Sequence, residues 1–316
     1  MPILSMHFIH ERATMHHDKS KKVLFLVMDA GEIARETGMG LQKVSETVKR
    51  GMRKLLEERN KRKAPFIDRT FYTSLNGMMI TAYMKAFRLF KNSKLKDFAL
   101  KSLTRILEDH FINNELLHTE GVTAILDDYI YLIEALVSSY EVTGDKNYFN
   151  KADKLMQLCM EKFWDKEQGG FFDTDREVLG IRLKAIEDIP HPSANALSII
   201  LMLKLHAMTE KKKYYLYAQE SLKAFSLKAK DIGIQSGYYY CALDAYFNMM
   251  KLTLQTKPAD KLAGTALTSF YPYMSIVYGE DRGYAVPCIR ETCYEPINKP
   301  ESLKIFCQII GQKILN

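Results

Sequence analysis

The sequence predicts an all-α fold: an α/α toroid of helical hairpins, that is, an incomplete (α/α)6 barrel, with small β additions. Between about residues 74 and 230, three stretches each contain an apolar helix, a short polar turn and an amphipathic helix. The first helix of each stretch is apolar nearly all round, whereas the second carries a single apolar stripe. A fourth helix of the first type follows at 238–252. Repeated inner and outer helices are typical of α/α toroids and of hairpin solenoids.

The residues before the repeat divide into two parts. Residues 1–22 lack helical or strand periodicity, and we expect them to be disordered. Within 23–64, the apolar run Val23–Met28 favours a buried strand or an extended segment lying on the main body. Leu41–Lys61 has apolar residues at helical spacing among charges, which predicts an amphipathic helix that stops before Pro65.

The predicted toroid covers 65–255, and 256–316 forms a C-terminal extension with short strands and a terminal helix. A closed toroid of six hairpins needs about twelve long helices, and this region with its flanks supplies about eight. One side of the apolar inner ring therefore lacks a neighbour, and we expect exposed apolar surface there. Self-association, a partner chain, or coverage by Val23–Met28 and the C-terminal tail would bury it.

Composition excludes several classes of function. The 45 basic and 38 acidic residues give a net charge of +7, but the lysines are scattered and form no basic stripe interleaved with aromatic residues. We therefore expect no nucleic-acid partner. The N-terminal residues lack the apolar core of a signal peptide, and no apolar run reaches membrane-spanning length, so we expect a cytoplasmic protein without a membrane partner. The sequence has no phosphate loop or metal-binding motif, and we expect neither a cofactor nor a metal.

The loops that precede the inner helices predict a ligand site. Because the inner helices are equivalent in the repeat, they run parallel and their N-termini open on one end of the barrel. The segments 68–77, 119–129 and 180–195 arrive at that end, and each is polar just where an apolar helix begins. Long loops on one face of a helical scaffold are where ligands bind, and helix N-termini add N–H donors and positive potential.

Five ordered motifs carry a resemblance to a known family: RNKRKAPFIDRTFYTSLNGMMI, LDDYIYLIEALVSSYEVTGD, GGFFDT, RLKAIEDIPHPSANALS and YAVPCIRETCYEPI. From about residue 22 to its end, the sequence resembles the C-terminal portion of the spermatogenesis-associated thioredoxin-like protein family, also called the YyaL type. The resemblance implies an (α/α)6 toroid similar to those of N-acylglucosamine 2-epimerases and six-hairpin glycosidases. It also implies that the chain corresponds to the back half of such a protein, without the family's thioredoxin-like domain.

Adjacent carboxylates, Asp127 and Asp128, stand where the second inner helix begins. They are candidate acid/base groups or binders of sugar hydroxyls, because neighbouring carboxylates can have separated pKa values. The alternative is that they cap the helix and complement its dipole. Ser193 and Asn195 are candidate ligand-binding residues with the same alternative. Asn76 of the first loop is a further candidate for ligand binding.

The third loop supplies the remaining candidates. Arg182 and Lys184 would bind an anionic or polyhydroxy ligand, with the Arg guanidinium as a fixed fork of donors. Glu187 and Asp188 are candidate proton-transfer groups, and all four residues have the alternative of an internal salt-bridge network. His191 lies between two prolines in the predicted mouth and is a candidate for binding or chemistry.

The five cysteines do not make a disulfide framework. Cys288 and Cys293 lack the spacing of a Cys-x-x-Cys redox pair, and without a nearby histidine they give only half a zinc site. We expect buried, inert thiols, with a reversible redox contact as the alternative.

The leading hypothesis for function is a toroid protein whose mouth suits a carbohydrate-like ligand, acting as a binding or regulatory piece. One alternative is an enzyme: a sugar isomerase, an epimerase or a glycoside hydrolase-like protein. The other alternative is an interaction module for a separately encoded thioredoxin-like chain.

Overall fold

The computed structural model describes residues 2–8, 14–178 and 180–315. Contacts within the chain divide it into two compact units, Met1–Arg69 and Thr70–Asn316, with the division five residues beyond the predicted start of the toroid at 65. Each unit has its own buried core. We describe the two units separately.

The first unit contains three helices and a short hairpin within its described residues: α1 (Pro2–Phe8), β1 (Thr14–Met15), β2 (Asp18–Lys22), α2 (Ala30–Thr37) and α3 (Leu41–Asn60). The predicted helix at 41–61 is confirmed as α3. Its buried Val44 and Val48 pack with Ile3 and Ile33. The expectation of disorder for 1–22 is wrong for α1 and the hairpin, and residues 1 and 9–13 of that range lie outside the described residues. Tertiary packing, which a short segment's own sequence does not reveal, holds α1 in place.

Gly51 explains how α1 packs on α3. A Cβ at this position would lie 2.4 Å from the Leu4 side chain, so only glycine lets Leu4 approach the helix so closely. Of the two alternatives for Val23–Met28, a buried strand or an extended segment, the buried strand is wrong. The segment pairs with no strand among the described residues, and Leu26 is 59% exposed. Its backbone is held instead by a bond from Val27 N to His7 O of α1.

The second unit begins with helical hairpins and ends with a small sheet. Its elements are α4 (Thr73–Phe90), α5 (Ser93–Asp109), β3 (Phe111–Ile112), β4 (Glu115–Thr119), β5 (Val122–Thr123), α6 (Leu126–Thr143), α7 (Lys146–Phe163), α8 (Ala194–Thr209), α9 (Lys212–Ile232), α10 (Gly237–Asn248), β6 (Met250–Gln255), α11 (Lys261–Thr268), β7 (Met274–Tyr278), β8 (Tyr284–Ile289), β9 (Thr292–Cys293) and α12 (Pro300–Leu315). The predicted fold class is confirmed, because α4/α5, α6/α7 and α8/α9 are the expected hairpins. The inner helices α6 and α8 are buried almost throughout.

The inner helices run parallel, as the repeat predicted. At their N-terminal ends, the Asp128 carboxylate of α6 accepts a hydrogen bond of 2.9 Å from Ser74 N of α4. At their C-terminal ends, Glu141 of α6 pairs with Lys204 of α8 at 2.6 Å and with Arg88 of α4 at 3.7 Å. Like ends therefore lie together, and the polar loops before α4, α6 and α8 meet on one end of the helical layer.

Gly77 lets α4 and α6 approach backbone to backbone. A Cβ at this position would lie 2.8 Å from the carbonyl carbon and oxygen of Tyr131, and backbone atoms cannot rotate away. We expect Gly77→Ala to destabilise the fold by about 1–3 kcal/mol, the usual cost of overpacking. Urea unfolding measures this. Gly264→Ala in α11 is the control, because its Cβ meets nothing within 4 Å and alanine favours a helix, so an equal loss in both variants would contradict the argument.

The C-terminal strands form one sheet of order β7-β6-β8-β9. β6 is parallel to β7, with α11 as the crossover, and antiparallel to β8. The predicted helix at 238–252 is therefore wrong at its end: α10 stops at Asn248 and 250–255 is a strand. Hydrogen bonding to two neighbouring strands decides the conformation of 250–255, and the burial of its side chains alternates along the segment, as in a strand.

The sheet packs on the C-terminal ends of the inner helices. Ile276 N of β7 donates to Glu141 Oε1 at 3.4 Å, and the Tyr278 hydroxyl donates to the Glu141 carbonyl at 3.0 Å. At the N-terminal ends of the inner helices, the polar loops lie instead of the sheet.

Apolar side chains are exposed on α4, as expected for an inner helix that lacks a neighbour. Leu75 is 55% exposed, and Met79, one turn later on the same face, is 54% exposed. Within the described ranges, no helix is both long and apolar enough to cross a membrane.

Candidate functional site

The polar loops converge around the N-terminal ends of the inner helices. Asp188 of the loop before α8 accepts from Ser193 N at 2.9 Å and from Tyr238 N at 2.8 Å, which ties the starts of α8 and α10 together. Leu126 N at the start of α6 donates to Asp173 O of the same long loop. We call this end of the helical layer the mouth.

Asp128 is a fully buried carboxylate whose oxygens are occupied by donors of the protein itself. Oδ1 accepts from Ser74 N at 2.9 Å, and Oδ2 accepts from Ile125 N at 3.0 Å. His118 Nδ1 lies 2.9 Å from Oδ2 and 3.1 Å from Oδ1. Asp128 therefore joins α4, α6 and β4. This arrangement agrees with the capping interpretation of Asp128 rather than with the catalytic one.

Asp127, one residue earlier, has a different environment. Its side chain is 32% exposed, and Oδ2 lies 3.7 Å from Nε2 of His191, which is also 32% exposed. On its other side, His191 Nδ1 lies 2.9 Å from the Tyr131 hydroxyl. The Tyr131 hydroxyl donates its hydrogen to the Pro192 carbonyl, and the His191 imidazole is the second polar group in contact with that hydroxyl. The carboxylate, the imidazole and the phenol lie in a row, with a gap of 3.7 Å between the first two, and we call this row the Asp127–His191–Tyr131 chain.

Burial shifts the pKa of both ends of this chain. Desolvation raises the pKa of Asp127, the neighbouring His191 opposes that rise, and the carboxylate of Asp128 adds to it. Desolvation also raises the pKa of Tyr131 far above its usual range, helped by the nearby carboxylate of Asp127. Tyr131 is thus a permanent neutral hydroxyl, and Asp127 exchanges its proton at a higher pH than an ordinary aspartate.

Ser193 and Asn195 hold the loop rather than face a ligand. Ser193 is the N-cap of α8, where its hydroxyl accepts from Ala196 N and donates to Ala185 O. Asn195 is fully buried, with Oδ1 accepting from Phe171 N at 2.8 Å and Nδ2 donating to Phe171 O at 2.9 Å. These bonds fix the GGFFDT segment against α8, and the side-chain oxygen and nitrogen of Asn195 are used by the protein.

Arg182 and Lys184 are likewise engaged within the loop. The Arg182 guanidinium donates to the Thr174 carbonyl at 2.6 and 2.9 Å and lies 4.1 Å from the centre of the Phe172 ring. Lys184 pairs with Asp165 at 2.6 Å. Lys184 therefore takes part in an internal salt bridge, the alternative to ligand binding, whereas Arg182 is held by backbone carbonyls and forms no ion pair among the described residues.

The contacts of Glu187 and Asp188 are structural and do not indicate a role in proton transfer. Glu187 accepts from Ile186 N at 2.9 Å and pairs with Lys228 of α9 at 3.1 Å, while Asp188 caps two helices as described above. Asn76 lies in the first turn of α4, where its Nδ2 donates to Tyr72 O at 2.7 Å. Its half-buried side chain keeps an amide oxygen for other contacts, so Asn76 stays a ligand-binding candidate.

Sequence reasoning missed Tyr131 and His118. Tyr131 stands one helical turn after Asp127 on an apolar helix, where an aromatic residue is expected to be core, and only its hydroxyl contact with His191 reveals a role. His118 lies on β4, outside any recognisable motif. The spacing of Asp127 and Tyr131 by four residues was the one available signal.

The expectation of buried, inert thiols is wrong for one pair, and the alternative of a redox contact between the two sulfurs agrees with the structure. Cys288 of β8 and Cys293 of β9 form a disulfide, because the hairpin register places them directly opposite one another. A two-residue turn at Arg290 and Glu291 sets that register, with Arg290 at a φ of 53°. Among the described residues, no cluster of three or more His, Cys, Asp or Glu side chains is arranged to hold a metal ion.

Comparison with known proteins supports the resemblance inferred from the motifs. No model of a protein family matches the sequence. The chain is 24% identical to human spermatogenesis-associated protein 20 over 316 aligned positions, which cover 86% of this chain and 40% of that protein. The rat protein of the same name is 25% identical over 68% of this chain and 29% of its own length. The uncharacterized protein B0495.5 of Caenorhabditis elegans is 26% identical over 68% of this chain and 31% of its own length.

These proteins are homologues of the chain, which spans about a third of their length. Among solved structures, the α-mannanase BT2949 of Bacteroides thetaiotaomicron has a TM-score of 0.45 and 17% identity, over 59% of this chain and 53% of that one. The cellobiose 2-epimerase of Bacillus thermoamylovorans has a TM-score of 0.41 and 14% identity, over 50% of this chain and 45% of that one.

Proposed function

We propose that the mouth binds a carbohydrate-like ligand through the Asp127–His191–Tyr131 chain, and that the protein acts as a binding or regulatory protein. One observation carries the proposal. Asp127 and His191 are each 32% exposed and lie 3.7 Å apart, too far for a direct hydrogen bond, whereas Asp128, Asp188 and Asn195 are used by protein donors and acceptors. The charged or titratable groups that these contacts leave for a ligand are therefore Asp127 and His191, beside the amide oxygen of Asn76.

The chemistry of this pair suits a polyhydroxy ligand. A sugar hydroxyl both donates and accepts, so one hydroxyl would donate to the Asp127 carboxylate while His191 Nε2 donates to another or accepts from it. Tyr131 fixes the imidazole from its Nδ1 side, which orients Nε2 toward Asp127. Such a preorganised set of few polar groups at the end of an apolar scaffold is typical of small-molecule sites.

We expect Asp127→Asn to abolish binding of the ligand while leaving the unfolding free energy within about 1 kcal/mol of the parent. The raised pKa means that the folded protein binds the Asp127 proton more tightly than the unfolded chain does, so ionisation of Asp127 costs stability as the pH rises through its folded pKa. Asparagine removes that cost at neutral pH. The measurement is calorimetric titration with methyl glycosides and with short gluco- and manno-oligosaccharides, beside thermal melting.

Glu187→Gln is the matched control, because that carboxylate pairs with Lys228 instead of facing the mouth. It should bind like the parent. If no saccharide of the panel binds the parent, or if Asp127→Asn binds as well as the parent, the proposed site is wrong.

A second candidate is a sugar isomerase, epimerase or hydrolase that uses the same chain, and the raised pKa of Asp127 favours it. A carboxyl group that keeps its proton at higher pH than usual is suited to general acid catalysis. The pH dependence separates the two functions. Binding by the ionised carboxylate strengthens as the pH rises through the pKa of Asp127, whereas turnover that needs the protonated acid declines over the same range.

A further inference from the structure

A cavity of about 980 Å³ lies at the opposite end of the inner helices from the mouth. The C-terminal ends of α8 and α10, the start of α9 and the β8–β9 hairpin line it, through residues that include Leu203, Tyr215, Tyr246 and Arg290. None of the residues of the Asp127–His191–Tyr131 chain contributes to it. The cavity is therefore separate from the site of the proposed function.

The wall on the helical side is aromatic and carries a hydroxyl with a free hydrogen. The rings of Tyr215 and Tyr246 stack at 5.0 Å. Tyr246 Oη accepts from the Tyr215 hydroxyl at 2.6 Å and from Gln219 Nε2 at 2.8 Å. Among the residues that the structure describes, no acceptor receives the Tyr246 hydroxyl hydrogen, so this group is placed to donate to a ligand oxygen.

The wall on the hairpin side supplies positive charge. The Arg290 Nε donates to Phe247 O at 3.0 Å, and the guanidinium lies 5.1 Å from the centre of the Phe247 ring, which fixes its position. Its Nη groups have no acceptor within the described ranges. Lys212 also lines the cavity, and the disulfide between Cys288 and Cys293 fastens the hairpin that carries Arg290.

The remaining charges leave an excess of cations. Lys251 is paired with Glu210 at 2.7 Å, which neutralises both. Arg290 and Lys212 then face Glu291 alone, so the balance is two cations to one anion. A ligand that satisfies these donors has acceptor oxygens with negative charge, and a ligand that fills the aromatic wall has a flat apolar body.

We propose that this cavity binds a small anion with a flat apolar body, of the aryl carboxylate or aryl sulfonate class. The anionic group accepts from Arg290 and from the Tyr246 hydroxyl, and the apolar body packs on the stacked tyrosines and Leu203. The volume is within the range of cavities that enclose small organic ligands.

The probe for the test is the aryl sulfonate 8-anilinonaphthalene-1-sulfonate, titrated by fluorescence against the whole chain. We expect saturable binding at one site. Its uncharged analogue, N-phenyl-1-naphthylamine, has the same aromatic body and should bind at least about tenfold more weakly, because a charge-assisted hydrogen bond is lost. Equal affinities of the two dyes would overturn the requirement for an anion.

Variants locate the dye. Ala207→Trp fills the cavity from α8 and should abolish saturable binding, whereas Arg290→Ala should weaken it at least about tenfold. Arg282→Ala is the control, because this exposed arginine pairs with Glu280 outside the cavity, and Asp127→Asn at the mouth should also bind the dye like the parent. If Ala207→Trp keeps its fold, as judged by thermal melting, and binds the dye like the parent, the cavity is not the site. If Ala207→Trp does not fold, Arg290→Ala decides: unchanged affinity in that variant overturns the proposal.

Discussion

Replacing Asp128 with alanine is expected to destabilise the second unit by about 3–5 kcal/mol, the range for removing one partner of a buried charged network. The substitution leaves Ser74 N and Ile125 N without their acceptor in a fully buried position, and His118 without its carboxylate. Each unsatisfied buried donor costs about 1–3 kcal/mol. The measurement is the free energy of unfolding from urea titration followed by circular dichroism.

Asp127→Ala is the matched control for this prediction, since the two aspartates are adjacent on the same helix. Asp127 is partly exposed and accepts no backbone hydrogen bond among the described residues, so its loss should cost less than about 1 kcal/mol. Asp128→Asn should fall between the two, because an amide keeps one acceptor oxygen but turns two hydrogens toward existing donors. Equal stability of the two alanine variants would show that Asp128 does not join the helices.

Glu141→Ala is expected to have a similar effect, about 3–5 kcal/mol, at the other end of the inner helices. The Glu141 side chain is 2% exposed and lies between Lys204 and Arg88, whose side chains are 18% and 24% exposed. Without the carboxylate, two largely buried cations face each other, and Ile276 N of β7 loses its acceptor. The loss should also loosen the contact between the sheet and the helices.

The control for Glu141 is Glu280→Ala, which removes a glutamate from an exposed pair with Arg282. Exposed pairs of this kind are screened by water and add little to stability, so this variant should melt like the parent. Hydrogen exchange then tests the structural claim. Amides of β6 and β7 should exchange faster in Glu141→Ala than in the parent, and unchanged protection there would contradict a role for Glu141 in holding the sheet.

The adjacent aspartates show where prediction from the sequence stops. Their position at the start of an apolar helix was enough to single them out, and both the catalytic and the capping interpretation were consistent with it. Successive residues on a helix point about 100° apart, so one faces α4 while the other faces the mouth. Which one is buried depends on the donors that Ser74 and His118 bring from elsewhere in the chain.

The C-terminal region shows the same limit of prediction from the sequence. The spacing of the cysteines at 288 and 293 favours free thiols over a redox contact, because spacing alone does not reveal a hairpin whose two-residue turn places them opposite each other. The pattern predicts that the helix continues to 252, but 250–255 is a strand, because its conformation is set by hydrogen bonds to β7 and β8, which come later in the chain.

The sequence by itself determined the helical hairpins, their inner and outer layers and the shared end at which the polar loops meet. These features follow from hydrophobic periodicity, which is a local property repeated along the chain. The tertiary structure alone decided which polar residues are used to hold the fold and which keep polar atoms without a partner inside the protein. That division depends on distant donors and acceptors, because a buried polar group must find its partners wherever the fold brings them.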